Sequence, residues 1–130
     1  MSAERSKVFV YGTLLAGEPN SRLLARAQRI GDARTEEGFA LFDLGAFPGM
    51  VRAREGIVVG ELYEVDRETL AALDRLEGHP SFYRRTAITL APPMQAEPVW
   101  TYLLRPEQVA GRIRIESGSW RAHRAEEKRR

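Results

Sequence analysis

The chain has 130 residues, a formal net charge of +2 and no cysteine. This length predicts a single domain over residues 1–130, and the lack of cysteine excludes a disulfide framework, thiolate metal ligands and cysteine nucleophiles. The small charge comes without a dense basic face, so we expect neither nucleic-acid binding nor membrane binding. The polar N-terminal segment and the shortness of the apolar runs favour a cytoplasmic protein.

The first predicted element is a strand that begins at Lys7, in the stretch KVFVYGTL. The β-branched and aromatic residues from Val8 to Tyr11 are typical of a strand that is buried on both faces. Gly12 then ends the apolar run. Because glycine has no Cβ, the backbone can turn sharply here and present successive N–H groups to a ligand. A plain strand followed by a turn explains the same residues, and this stretch alone leaves both interpretations open.

A short helix and an edge strand are predicted next. Asn20 is a candidate N-cap for a helix that begins NSRLLARA. Residues 28–37 are weakly patterned and predict an edge strand with a bulge near Gly31. The pattern of apolar residues is clearer in the middle of the chain, which follows these two elements.

Two further strands are predicted over residues 38–44 and 56–65, separated by the loop GAFPGM. Phe47 on this loop either folds back onto the core or lines a pocket. Gly60, within the second of these strands, indicates a bend or the close approach of another backbone. Such glycines favour a curved sheet.

A helix follows in the segment DRETLAALDRLEG, with Asp66 as its N-cap and Gly78 at its end. Its predicted buried stripe consists of Leu70, Leu73 and Leu76 together with Ala71 and Ala72. Glu77 occupies the last helical position. A carboxylate there faces the negative end of the helix dipole and borders the buried stripe, and both effects favour its neutral form. Glu77 is therefore a candidate general base, although an exposed, frayed helix end explains it as well.

The last predicted strands, RRTAITLA and VWTYLL, form an antiparallel hairpin. We expect no regular element in the remainder, where Trp120 anchors the chain and a flexible tail begins at about residue 121. The predicted fold is α+β, a small mixed β-barrel of about six strands with two short flanking helices. The two histidines stand far apart in the sequence, and each is expected to be a solvent or loop residue.

Several of these segments together resemble the gamma-glutamylcyclotransferase family, which includes gamma-glutamylamine cyclotransferases and AIG2-like proteins. The likeness rests on YGTL, GAFPG, GELYEV, LDRLEG, PSFYRR and WTYLL, in this order from about Lys7 to Leu104. It implies a small β-barrel with a pocket at one end. The resemblance also implies a catalytic acid at Glu77, a tyrosine bordering the pocket at Tyr83, and no cofactor or metal. The backbone amides implied to hold the glutamyl group belong to Tyr11, Gly12, Thr13 and Leu14.

The reaction implied by the resemblance is intramolecular. The α-amino group of a gamma-glutamyl amine or related conjugate attacks its own γ-carbonyl and releases 5-oxoproline and an amine. A non-catalytic protein that uses the same pocket for an acidic metabolite remains the alternative, since it explains the YGTL turn equally well. The leaving amine and the oligomeric state are not determined by the sequence. Arg52 and Arg54 are candidates to meet an anionic leaving group, although loop arginines are usually solvated.

Overall fold

The computed structural model describes residues 4–94 and 97–129. The strands of these residues are β1 (Arg5–Val10), β2 (Gln28–Arg34), β3 (Phe39–Asp43), β4 (Pro48–Arg52), β5 (Val59–Asp66), β6 (Arg84–Ile88), β7 (Val99–Leu103) and β8 (Ile113–Arg114). The α-helices are α1 (Arg67–Glu77) and α2 (Trp120–Lys128). Two short 3-10 helices span Ser21–Leu24 and Pro106–Val109.

The strands form one mixed sheet in the order β2-β5-β1-β7-β4-β3-β8, and β6 pairs with β7. The predicted α+β class is confirmed. The barrel is not, because the pairing of strands in the described residues does not close; only an isolated bridge joins Thr35 to Leu90. Strand β4 was missed because its proline and glycine are typical of loops. Pro48 begins the strand, opposite Asp43, a position that tolerates a residue without an N–H.

Strand β1 lies inside the sheet, antiparallel to β5 and parallel to β7. Its two faces pack into different core clusters. Val8 and Val10 belong to one cluster, and Phe9 and Tyr11 belong to the other. The predicted burial on both faces is therefore confirmed, and it follows from the alternation of side chains along a strand.

Strands β2 and β5 carry two irregularities that the glycines indicated. The register of β2 against β5 shifts between Arg29 and Gly31, which confirms the predicted bulge on an edge strand. At Gly60 a Cβ would collide with the carbonyl oxygen of Val10, so the predicted close approach of another backbone is also confirmed. The antiparallel pairing of β6 with β7 confirms the predicted hairpin.

Helix α1 begins and ends as its capping residues predict. The Asp66 carboxylate accepts a hydrogen bond from the Thr69 N–H at 2.8 Å, and Gly78 adopts the left-handed conformation at φ 67°. Leu73 is fully buried and faces the core. The prediction was wrong for Leu76, which lies at the edge of the packed face and is 40% exposed, and for Ala71, which points away from Leu73 and is exposed.

The C-terminal segment differs from its prediction. Helix α2 forms where no regular element was expected, with the Ser119 side chain accepting a hydrogen bond from the Ala122 N–H. Trp120 is buried, as predicted for an anchor. The flexibility expected from residue 121 stays a prediction. In the part of the chain that the structure describes, no helix has the length and apolar character needed to cross a bilayer.

Replacing Gly60 with alanine should destabilise the protein by about 2–3 kcal/mol, because the new methyl group must push β5 away from β1 at Val10. Urea denaturation measures the change in the free energy of unfolding. Val59→Ala is the matched control, since Val59 is the exposed neighbour on the same strand and should cost less than about 1 kcal/mol. Equal losses in the two variants would contradict the role given to Gly60.

Candidate active site

A cavity of about 520 Å³ lies where the turn after β1, the beginning of β4 and the C-terminal end of α1 meet. The six residues to which the family resemblance assigns a site all line it: Tyr11, Gly12, Thr13, Leu14, Glu77 and Tyr83. They come from positions more than sixty residues apart in the chain. The fold therefore brings these residues to one place, while their roles remain predictions.

The turn after β1 is fixed by packing and by short-range hydrogen bonds. A Cβ on Gly12 would lie 2.7 Å from Cγ and 2.8 Å from Cδ of Pro48, so only glycine fits beneath that ring. The Leu15 N–H donates to the Gly12 carbonyl at 3.0 Å. The Asn20 side-chain amide donates to Thr13 Oγ1 at 2.9 Å, which explains why Asn20 does not cap the following 3-10 helix as predicted.

Three successive backbone N–H groups in this turn are left without acceptors. None of the hydrogen bonds among the described residues uses the N–H of Gly12, Thr13 or Leu14. Unpaired backbone donors are costly when they are sheltered from water, and a run of them is suited to binding an anion. This wall of the cavity can therefore hold a carboxylate.

Glu77 lies at the other wall, at the last position of α1. Its side chain is half-buried, and no hydrogen bond to it is found among the described residues. Burial raises its pKa to about 7. A carboxyl group with that pKa exchanges a proton near neutral pH, which is the property that a general base requires.

The loop after α1 holds Tyr83 beside Glu77. The Tyr83 N–H donates to the Glu77 carbonyl at 3.2 Å, and the Tyr83 hydroxyl donates to the Pro48 carbonyl at 2.6 Å. Tyr83 thus links the end of α1 to the residue that covers Gly12. The two walls of the cavity are joined through one side chain.

Two further tyrosines line the cavity, and their hydroxyl protons are also engaged. Tyr11 donates to the Tyr102 carbonyl at 2.7 Å, and Tyr102 donates to Asp74 Oδ1 at 2.7 Å. Burial raises the pKa of Tyr11, Tyr83 and Tyr102, so all three stay protonated near neutral pH. Among the described lining residues, Glu77 is the group whose pKa suits proton transfer at pH 7.

A charged pair holds α1 against the β6–β7 hairpin. Arg85 Nε donates to Asp74 Oδ1 at 2.9 Å, and its guanidinium lies 4.4 Å from the centre of the Trp100 ring. Asp74 precedes Glu77 by one helical turn and also accepts the Tyr102 hydroxyl. The position of Glu77 therefore depends on contacts made by the preceding turn.

A second carboxylate, Glu61, supports the turn after β1 from outside the cavity. It is 2% exposed and accepts hydrogen bonds from the Ala16 N–H at 3.0 Å, the Tyr63 hydroxyl at 3.0 Å and Arg121 at 3.2 Å. Arg121 also donates to the Ala16 carbonyl. Burial by itself would raise the pKa of Glu61, but these donors outweigh burial and lower it.

The apolar part of the lining includes Phe47, Leu76 and Phe82, and sequence reasoning missed Leu76 and Phe82. Phe47 both packs against the core and lines the cavity, so the two alternatives weighed for it are both realised. Arg52 does not reach the cavity; its guanidinium lies 5.5 Å from the centre of the Phe39 ring. Arg54 is exposed and is also absent from the lining.

Both histidines make hydrogen bonds, which the sequence analysis did not predict. His79 Nδ1 accepts the Arg85 N–H at 2.9 Å, and His123 Nε2 lies 2.7 Å from Asp43 Oδ2. Asp43, His123 and Glu127 place their polar atoms within 4.8 Å of one another. The hydrogen bond between His123 and Asp43 accounts for that approach.

Replacing Glu77 with glutamine should change how stability depends on pH. The folded pKa of about 7 lies above the ordinary value for glutamate, so wild-type stability falls as pH rises from about 5 to 7. Glutamine does not titrate. The free energy of unfolding of Glu77→Gln, relative to that of wild type, should therefore rise by about 1–3 kcal/mol between pH 5 and pH 8. Thermal melts at each pH measure this difference. Glu68→Gln, in the exposed first turn of α1, is the control. Parallel curves for Glu77→Gln and wild type would contradict the burial of Glu77.

Glu61→Gln should destabilise the protein by about 1–3 kcal/mol at pH 7, because Arg121 loses a buried anionic partner. Since the folded pKa is lowered, the stabilisation is present above the ordinary glutamate pKa and is lost as pH falls through the folded value. Urea denaturation measures the difference in the free energy of unfolding between wild type and Glu61→Gln. This difference should become smaller as the pH is lowered. Glu64→Gln, on the same strand but only partly buried, should show a smaller effect.

Comparison with known proteins agrees with this geometry. The sequence model described as gamma-glutamyl cyclotransferase, AIG2-like matches residues 8–122. A Vibrio cholerae protein named "Putative gamma-glutamylcyclotransferase" is 42% identical over 87% of this chain and 93% of its own length. The Escherichia coli K12 protein named gamma-glutamylcyclotransferase family protein YtfP is 38% identical over 88% of this chain and 95% of its own.

Among solved structures, an AIG2-like protein from Mus musculus superposes with a TM-score of 0.75 at 30% identity. The superposition covers 87% of each chain. The sequence match spans the turn after β1, helix α1 and the β6–β7 hairpin, the elements that build the cavity. The chain belongs to the gamma-glutamylcyclotransferase, AIG2-like family.

Proposed function

We propose that the protein is a cyclotransferase that acts on a gamma-glutamyl amine or a related gamma-glutamyl conjugate and releases 5-oxoproline and a free amine. The observation that carries the proposal is one cavity in which Glu77, with a pKa of about 7, shares the lining with the N–H groups of Gly12, Thr13 and Leu14, which have no acceptor among the described residues. Membership of the family supports the reaction class. The mechanism uses no cofactor or metal.

The amide wall binds the substrate and bends it. The N–H groups of Gly12, Thr13 and Leu14 receive the α-carboxylate, which fixes one end of the gamma-glutamyl group. With that end held, the α-amino nitrogen can reach the γ-carbonyl carbon of the same molecule. Holding such a geometry replaces a bimolecular encounter with ring closure and supplies much of the rate enhancement.

Glu77 carries the proton through the reaction. The substrate's α-amino group has a reference pKa of roughly 8 and is mostly protonated at pH 7, so the ionised Glu77 removes a proton from it. The freed nitrogen forms a bond to the γ-carbon, and the original γ-carbon–nitrogen bond then breaks. Glu77 returns that proton to the departing amine nitrogen as the bond breaks. The ring nitrogen then loses its second proton, which passes through Glu77 to the released amine, so 5-oxoproline keeps one ring N–H, the amine leaves as an ammonium ion and Glu77 ends ionised.

Tyr83 and Tyr11 act by positioning in this scheme. The hydroxyl proton of each is already donated to a backbone carbonyl, that of Pro48 for Tyr83 and that of Tyr102 for Tyr11. Neither hydroxyl has a proton free for exchange while these bonds persist. Their rings instead shape the cavity around the glutamyl group.

Glu77→Gln should lower the rate of 5-oxoproline release by roughly 100- to 10,000-fold, because the amide keeps the size of the side chain and removes the basic oxygen. The assay incubates the protein with several gamma-glutamyl amides and follows 5-oxoproline by mass spectrometry. In the wild type, kcat/KM should fall as pH drops below about 7 and Glu77 becomes protonated. Glu68→Gln on the same helix should keep wild-type activity.

Two outcomes would reject the proposal in different ways. Retained activity in Glu77→Gln would remove Glu77 from the reaction while leaving the protein an enzyme. Binding of 5-oxoproline or glutamate by calorimetry, with no turnover across the amides, would instead favour a non-catalytic binding protein.

A further inference from the structure

We infer that the leaving amine carries an apolar, preferably aromatic, group and no carboxylate. This inference rests on the proposed function and adds the class of substrate that the site selects. It comes from the part of the cavity that the chemistry does not use. Phe47, Leu76 and Phe82 line this part, which we call the apolar rim.

Solvent exposure shows which end of the cavity is open. Tyr102, Tyr11 and Tyr83 are buried, whereas Leu76 is 40% and Phe82 is 42% exposed, and the small apolar lining residues Pro19 and Ala46 are exposed as well. The apolar rim therefore lies toward solvent, and the glutamyl-binding turn and the tyrosines lie deeper. A gamma-glutamyl compound bound by its α-carboxylate at the deep end directs its leaving group toward the rim.

The rim presents rigid aromatic surface. The Phe82 and Tyr83 rings are 5.1 Å apart at 87°, and the Phe47 and Phe82 rings are 6.1 Å apart at 77°. These are edge-to-face contacts, the favourable geometry for aromatic pairs. The backbone of Phe82 is held on both sides, since its N–H donates to the Gly78 carbonyl at 2.8 Å and its carbonyl accepts from Gln108 at 3.1 Å.

The charge of the lining opposes an anionic leaving group. Of the described lining residues, Glu77 is the one with an acidic or basic side chain. Arg85 is committed to Asp74 and Trp100, and Arg52 lies over Phe39. A carboxylate on the leaving group would find no cation among these residues and would lie in the same cavity as the ionised Glu77.

The lining also gives little support to a cationic leaving group. The apolar rim contains no acidic side chain to replace the water around an ammonium group. An apolar group has the opposite preference, because it covers the exposed faces of Leu76 and Phe82 and removes both surfaces from water. The chemistry of the rim thus matches an alkyl or aryl amine.

The test compares four substrates that share the gamma-glutamyl group: gamma-glutamyl-phenethylamide, gamma-glutamyl-butylamide, gamma-glutamylglycine and gamma-glutamyl-diaminobutane. Release of 5-oxoproline gives kcat/KM for each. We expect the phenethylamide to exceed gamma-glutamylglycine by at least about tenfold, since one or two apolar groups in a pocket discriminate by this order. The butylamide should fall between them.

Two substitutions of Phe82 examine the rim directly. Phe82→Ala should lower the ratio of kcat/KM for the phenethylamide to kcat/KM for gamma-glutamylglycine about tenfold. Phe82→Lys adds the missing cation and should shift the preference toward gamma-glutamylglycine. Ile57→Ala and Ile57→Lys are matched controls, because Ile57 is 41% exposed and lies outside the lining. They should leave the order of the substrates as it is in wild type.

The outcomes separate this inference from the proposed function. Turnover that is fastest with gamma-glutamylglycine or with the diaminobutane conjugate would overturn the apolar leaving group and leave the cyclotransferase standing. An unchanged ratio of kcat/KM for the phenethylamide to kcat/KM for gamma-glutamylglycine in both Phe82 variants would also overturn it. No release of 5-oxoproline from any of the four amides would reject the cyclotransferase and this inference with it.

Discussion

The capacity of the cavity to bind a ligand comes from polar groups that have no hydrogen-bond partner among the described residues. On one wall the N–H groups of Gly12, Thr13 and Leu14 have no acceptor among the described residues, and on the other the half-buried carboxyl of Glu77 has no donor. Sheltered groups of this kind cost stability, and they persist only where the surrounding structure fixes them. Their unsatisfied hydrogen-bonding capacity is what a ligand with a carboxylate and an amine can satisfy.

The rest of the fold holds these groups in place. Strand β1 is locked by core clusters on both faces, so the turn that follows it begins from a fixed point. Beyond the turn, Glu61 and Arg121 hold Ala16 from both its N–H and its carbonyl. Glu77 is fixed by the preceding turn of α1, where Asp74 joins the β6–β7 hairpin. The contacts that fix the cavity are thus made by residues next to those that line it, and not by the lining groups themselves.

The sequence predicted the features that depend on local chemistry. A glycine after a β-branched run, an aspartate cap and a glycine end were enough to place the turn at Gly12 and to place helix α1 between Asp66 and Gly78. It missed features that depend on distant contacts. Tyr102 and Phe82 follow no periodic pattern that points to a cavity, and Arg121 meets Glu61 only after sixty residues of chain fold between them. Sheet closure likewise depends on how strand edges meet, which alternation within each strand does not determine.

In the function that we propose, recognition of the glutamyl group is separate from recognition of the leaving group. The first uses backbone amides, which a side-chain substitution changes little unless it alters Gly12 or the Pro48 ring above it. The second uses side chains such as Phe82 that are already exposed, so their replacement removes little core packing. Substrate choice can therefore vary at the apolar rim while the amide wall and Glu77 stay constant. Such a division allows one scaffold to act on amides of different amines without loss of stability.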